Sequence, residues 1–74
     1  MRFSKAHERL LDGKKIRRSI WASYWQLVVL HTYDGVEIAT KLLSFHEGRV
    51  IGEVAINNED MLADDWQVIE EDNK

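Results

Sequence analysis

Asp34-Gly35 stands between two runs of apolar residues, and no other pair constrains this chain as strongly. A two-residue type I′ turn needs positive φ at both central positions, which Asp-Gly tolerates, so Trp25–Tyr33 and Val36–Phe45 are predicted to form a hairpin. That turn sets the register. Tyr33 then faces Val36, His31 faces Ile38, Val29 faces Thr40 and Leu27 faces Leu42, an almost uniformly apolar set of cross-strand neighbours. Leu27 and Val29 lie on one side of the first strand with Val28 and Leu30 on the other, whereas a half-solvated antiparallel strand carries large aliphatics on one side only. One face can cover a helix. The other needs a second partner, and another copy of the chain is the nearest supply of apolar surface, so a homo-oligomer is expected.

Size points the same way. A single domain over residues 1–74 buries only roughly 60 to 65% of its unfolded surface, and a core of that size rarely supplies more than about 3 to 5 kcal/mol. With no Cys, neither a disulfide framework nor a cysteine zinc site can help, and a reducing interior fits better than secretion. No run approaches a membrane span and no leader opens the chain, so the expectation is a soluble cytoplasmic protein with no membrane contact. The net charge of −3 is unevenly spread: residues 1–37 carry seven Lys or Arg against four acids, residues 38–74 three against nine. Ends that attract each other are the simplest reading.

Phe3, Ala6, Leu10 and Leu11 fall on one helical face, with Ser4 as candidate N-cap and Gly13 as the left-handed residue that closes a Schellman cap. Two to three turns persist only against a sheet. Lys14–Trp21 reads as a strand with Ile16, Arg18 and Ile20 on one face and Lys15, Arg17, Ser19 and Trp21 on the other. An Arg beside an aromatic ring on a sheet can grip a phosphorylated, base-bearing small molecule. His46-Glu47-Gly48 is a second turn, leading to a strand over Arg49–Ile56 in which Gly52 suggests a bulge and Asn57-Asn58 a stop.

At the acidic close, Asn58 is predicted to cap a one-turn helix whose Glu59 and Asp60 suit the dipole, with Met61 and Leu62 pointing inward. Trp66 and Val68, two apart, then read as a terminal strand, and Trp66 as core. A helical turn feeding a strand is a clasp that must close onto Phe3–Trp21. The tail Glu70–Lys74 is expected to fray.

No catalytic constellation emerges, so an enzyme is not expected. His7, His31 and His46 fall on a helix, a strand and a turn without the short spacings of metal sites, and no serine has a nucleophile-elbow context. No glycine-rich phosphate loop is present, and no cofactor is implied. The acidic balance and the lack of a basic stripe disfavour nucleic acid as a partner; Lys14, Lys15, Arg17 and Arg18 read as a strand edge or as partners of the acidic clasp. Trp21 and Trp25, bracketing Tyr24, are open to packing or to base stacking.

Phe3, Ala6, Leu10, then Gly13-Lys14-Lys15-Ile16-Arg17-Arg18 with Trp21, and finally Asp60-Met61-Leu62-Ala63-Asp64-Asp65-Trp66-Gln67-Val68 follow an order that resembles a phage family. Its members begin with F-x-x-A-x-x-x-L, continue as G-K-K-[VI]-x-R-x-x-W and end in D-[LM]-L-A-x-D-W-x-[VI]. These are the Thoeris anti-defence proteins of the second type. The resemblance covers about half the chain and departs at Glu53, Val54, Ile56 and Asn57, where many members carry a Trp and Pro pattern, and at Ser19-Ile20, which lacks a glycine. It implies an α+β fold: a short N-terminal helix on an antiparallel sheet of four to five strands, with a helical turn before the C-terminal strand, assembled as a homotetramer.

It also implies a sponge acting in the host cytoplasm, which binds cyclic nucleotide immune signals without cleaving them: glycocyclic ADP-ribose isomers and, for some members, cyclic dinucleotides of CBASS-type systems. By analogy Arg18 would hold phosphate, Trp21 and Phe3 the base, and Asn57, Asp60 and Asp65 ribose or base edges. A pocket shared between subunits would be expected, since a chain this small can hardly enclose a cyclic nucleotide. Two rivals are an inhibitor that presents Glu59–Asp72 to a basic host protein, and a small hydrolase that destroys the signal.

Overall fold

The computed structural model describes residues 1–70. An N-terminal helix α1 (Phe3–Leu11) is followed by strands β1 (Lys15–Arg18), β2 (Tyr24–His31), β3 (Glu37–His46) and β4 (Arg49–Glu53), a one-turn helix α2 (Asn58–Leu62) and strand β5 (Trp66–Ile69). The strands form one antiparallel sheet in the order β4-β3-β2-β1-β5, so the α+β architecture expected from the sequence is the one observed. Of the tail Glu70–Lys74, for which fraying is expected, all but Glu70 lies outside the described residues.

The clasp closes as its pattern implied. β5 pairs with the whole of β1, Arg18 opposite Trp66 and Lys15 opposite Ile69. On the other side of β5, Trp66 N–H donates to the Met1 carbonyl (3.0 Å) and the Met1 amine donates to the Trp66 carbonyl (2.8 Å). Trp66 is thus tied on both flanks, and only 1% of it is exposed. Ala6 and Leu10 of α1 meet Ile16, Trp25 and Trp66 in the core, and Phe3, Trp21, Leu27, Leu42, Val54, Ala63 and Val68 pack around them.

Two helix starts differ from expectation. Ser4 lies inside α1, whose N-cap is Arg2 with no side-chain hydrogen bond. Starting two residues earlier brings Phe3 onto the helix and against Trp66, ring centroids 5.3 Å apart, a contact that outweighs a cap worth about 1 kcal/mol. For α2 the cap is Asn57 instead of Asn58, its side-chain oxygen accepting from Asp60 N–H at 2.8 Å. The C-terminus of α1 is the Schellman arrangement: Gly13 N–H donates to Leu10 and Lys14 N–H to Arg9, each at 3.0 Å, with Gly13 at φ +88°. Leu11 is off the packed face, 63% exposed.

β1 is shorter than Lys14–Trp21. Trp21 N–H donates to the Arg18 carbonyl (3.0 Å), a turn that leaves Ile20 exposed and moves Trp21 to the helix side, away from the Lys15 and Arg17 face. The β2–β3 hairpin holds a double departure. Its loop has three residues, with Gly35 N–H donating to Thr32 (2.9 Å), Thr32 N–H to Val36 (2.8 Å) and positive φ at Gly35 but not at Asp34. The Thr32 hydroxyl donates to the Asp34 carboxylate, and that bond, then the backbone of Val36, holds the Asp34 carboxyl below its ordinary value. The longer loop places His31 opposite Glu37 instead of Ile38. A bulge at Ile38 then restores Leu30↔Ala39, Val29↔Thr40 and Leu27↔Leu42, the inner pairs predicted for a two-residue turn. The turn with positive φ at both central residues is the other one, Glu47-Gly48 (+52° and +79°). β4 carries the bulge suggested by Gly52, between Phe45↔Val50 and Ser44↔Gly52, and ends at Glu53, not Ile56.

The helix covers one side of the sheet. The opposite side, carrying Tyr24, Val28, Leu30, Leu43, Phe45 and Ile69, has no covering element among the described residues. Leu10→Ala is expected to lose about 2 to 5 kcal/mol, a large part of what this chain has, and Leu11→Ala less than about 0.5 kcal/mol. Urea denaturation of the two variants checks the contrast.

Candidate functional site

Five of the six candidate residues, Phe3, Arg18, Trp21, Asp60 and Asp65, adjoin Trp66, and the sixth, Asn57, caps Asp60. Because Arg18 is its cross-strand neighbour and the last residue of β1, the guanidinium lies over the segment that links α2 to β5. Arg18 Nε donates to Asp65, and Nη1 donates to Asp60 at 3.1 Å. Asp65 also accepts from the Ser19 hydroxyl (2.8 Å), while Ser19 N–H donates to the Asp65 carbonyl (3.0 Å). These groups are neither buried nor free: the side chains of Arg18, Asp60 and Asp65 are 15%, 14% and 30% exposed. Arg18 Nη2 has no hydrogen-bond partner among the described residues, and since no buried polar side-chain atom there lacks one, Nη2 reaches solvent.

Asp60 is fixed from four directions. Its N–H is capped by Asn57, its side chain holds Arg18, and its carbonyl accepts from the Trp66 indole Nε1 (2.9 Å) and from Ala63 N–H (3.4 Å). Asn57 therefore works as a cap, and its position places it one helical turn from the Arg18 pair. Trp21 stands edge-on to Trp66 (5.3 Å) and tilted against Trp25 (5.1 Å), with the Arg18 guanidinium 6.0 Å from its ring centre. Arg17 donates to the Trp21 carbonyl (2.8 Å), so the loop is held by both neighbours of the strand end. For Trp21, then, packing and ring presentation coexist.

On the far side of the Asp60–Asp65 segment is a groove of about 720 Å³ between α1 and α2, lined by Phe3, His7, Met61 and Leu62, with Arg2 and Asp64 at its polar margin. His7 stacks on Phe3 at 5.9 Å. Met61 and Leu62 do not point inward as expected; Leu62 is 85% exposed, because a single turn tethered through Asp60 and Trp66 cannot also bury its outer side. A smaller, polar cleft of about 230 Å³ opens where α1 ends, lined by Asp12, Lys14, Lys15 and Gln26, away from the Arg18 cluster. Among the described residues no group of three His, Cys, Asp or Glu could hold a metal ion, and no helix is long and apolar enough to cross a membrane.

Over residues 1–69 the chain matches the model of the Tad2-like family, the Thoeris anti-defense 2-like domain. It belongs to that family. No curated protein matches it. Membership supports a Thoeris anti-defense role for this Tad2-like chain. Sequence reasoning missed Ser19 and His7: the first becomes visible only once Asp65 is known to lie beside the end of β1, the second only once α2 is known to stand across from α1.

Electrostatics tie the cluster to pH. The Arg18 hydrogen bond, followed by that from Ser19, depresses the Asp65 carboxyl below its ordinary value, and Asp65 in turn, with Asp60, raises Arg18 above its own against partial desolvation. A depressed folded-state carboxyl stabilises above the unfolded value near about 3.9 and loses that contribution as pH falls through the folded one. Asp65→Asn is therefore expected to flatten the stability profile below about pH 4, read by thermal melts from pH 2 to pH 7.

Proposed function

We propose that the chain sequesters cyclic nucleotide immune signals, glycocyclic ADP-ribose isomers or cyclic dinucleotides, by binding them without cleavage in the host cytoplasm, and so counters Thoeris- or CBASS-type immunity. The observation that carries this reading is the Arg18 cluster: a guanidinium held in place by two carboxylates, one nitrogen open to solvent, beside a tryptophan ring. Preorganisation of this kind lowers the ordering cost of binding. Asp60 and Asp65 outnumber the cation, so their remaining lone pairs suit ribose hydroxyls or base N–H donors, while Arg18 Nη2 and Arg2 at the groove suit phosphate. Phe3 offers an aromatic wall and Trp21 another, and Asn57 keeps Asp60 in position. A signal spanning both sides of the Asp60–Asp65 segment leaves much of itself uncovered on one subunit, and a second copy closes the pocket.

An observation also favours a second reading. Leu62, highly exposed between Glu59 and Asp64, is the kind of apolar knob with an acidic rim that docks on a basic host protein. Titration separates the two. At a hundredfold excess over Kd a true ligand stabilises by about 2.7 kcal/mol, raising Tm by roughly 10 °C or more in a domain of this size. Arg18→Ala and Trp21→Ala are expected to weaken binding at least about tenfold in calorimetry. No shift with any cyclic nucleotide favours the docking reading, and recovery of cleaved ligand after denaturation overturns sequestration in favour of hydrolysis.

A further inference from the structure

A carboxylate beside an arginine ordinarily takes the fork, one oxygen on Nε–H and the other on the Nη2 N–H that points the same way. Asp65 does not. Its Oδ1 accepts from Arg18 Nε, while its Oδ2 accepts from the Ser19 hydroxyl at 2.8 Å. Arg18 Nη1 donates to Asp60 at 3.1 Å, and Nη2 donates to no group among the described residues. Ser19 is itself fixed. Its N–H donates to the Asp65 carbonyl (3.0 Å), so the two backbones set the distance between the two side chains. β1 ends at Arg18, and the turn that follows, closed by Trp21 N–H on the Arg18 carbonyl (3.0 Å), carries Ser19 beside Asp65.

We propose that Ser19 is a positioning residue: by holding Asp65 Oδ2 it keeps the carboxylate off the Arg18 fork and leaves Nη2 free for a phosphate oxygen of the ligand. This role rests on the nucleotide reading of the Arg18 cluster. The terminal torsion of an Asp side chain is broad, so a small rotation of the Asp65 carboxylate carries Oδ2 toward Nη2, and the Ser19 bond opposes that rotation. A closed fork satisfies the guanidinium from within the chain. A phosphate must then displace a bidentate carboxylate, whereas in the observed arrangement it meets two free N–H groups on Nη2. The hydroxyl and the N–H of Ser19 both bond to Asp65, so the effect of Ser19 on a ligand passes through that side chain. The same hydroxyl is, after Arg18, the second cause of the lowered Asp65 carboxyl, as a donor aimed at the charged form must be.

Ser19→Ala tests this, with Ser19→Thr as its conservative counterpart, since φ at position 19 is not positive and admits a β-branched hydroxyl. In the unliganded protein, labelled with nitrogen-15 arginine, the Arg18 Nη2 protons are expected to exchange freely with water in wild type and in Ser19→Thr. In Ser19→Ala the closed fork is expected to slow that exchange at least about tenfold. Calorimetry with glycocyclic ADP-ribose and cyclic GMP-AMP as probes is expected to show Ser19→Ala at least about tenfold weaker toward whichever the wild type binds, and Ser19→Thr restored. Tm of Ser19→Ala is expected to stay within about 4 °C of wild type, because the new fork offsets the lost hydroxyl bond. In an Asp65→Asn background Ser19→Ala is expected to change affinity less than about twofold, since Asn has no second oxygen to complete the fork. Unaltered Arg18 exchange in Ser19→Ala, wild-type affinity in that variant, no rescue by Thr, or an equal loss in the Asp65→Asn background overturns the role of Ser19 alone. A wild-type chain that binds neither probe overturns the nucleotide reading and this role with it.

Discussion

Everything on the helix side of this molecule depends on how Trp66 is seated. Its ring lies among the rings of Phe3, Trp21 and Trp25, its indole N–H is spent on the Asp60 carbonyl, and its backbone joins Met1 on one flank and Arg18 on the other. A large side chain buried with its one polar atom satisfied gives both apolar burial and orientation. In a chain with so small a core, one residue thereby fixes the helix, the end of β1 and the α2 segment together. The candidate site is a by-product of that seating: the contacts that pin Trp66 also bring Asp60 and Asp65 to Arg18.

What could be read from the sequence follows from the range of each interaction. Gly13 closing α1, Trp66 in the core and the inner register of the hairpin were legible because each is set by local pattern and by burial. Ser4 and Asn58 misled because a cap is worth about 1 kcal/mol and a neighbouring residue can supply it or a ring contact can override it. The turning of Trp21 away from the Lys15 face was not legible: alternation holds only while a strand continues, and β1 stops at Arg18 for a hydrogen bond that pattern does not encode. At the site, types of residue were legible and pairings were not. The acidic clasp was open to any of Lys14, Lys15, Arg17 and Arg18, and only the pairing of β5 with β1 brings Asp65 to Arg18.

The two faces of the sheet divide their work accordingly. The covered face gathers aromatic rings and the charged pair that a ligand would meet, and its geometry is fixed from within the subunit. The uncovered face gathers Tyr24, Val28, Leu30, Leu43 and Phe45, over which no helix among the described residues lies. A strand with large aliphatics on both sides, such as β2, is the sequence trace of that division.

The hairpin between β2 and β3 carries a different lesson. Its loop is one residue longer than the tightest turn and its return strand one residue longer than strict pairing allows, and the surplus at Gly35 is cancelled by the surplus at Ile38. Either surplus alone would slide β3 by one position and turn Leu42 and Leu43 to opposite sides, exchanging the packed layer with the open one. The pair is consequently a unit of inheritance: a lineage can shed or acquire both extra residues in one step, whereas an insertion or deletion at a single one of these places inverts half the sheet.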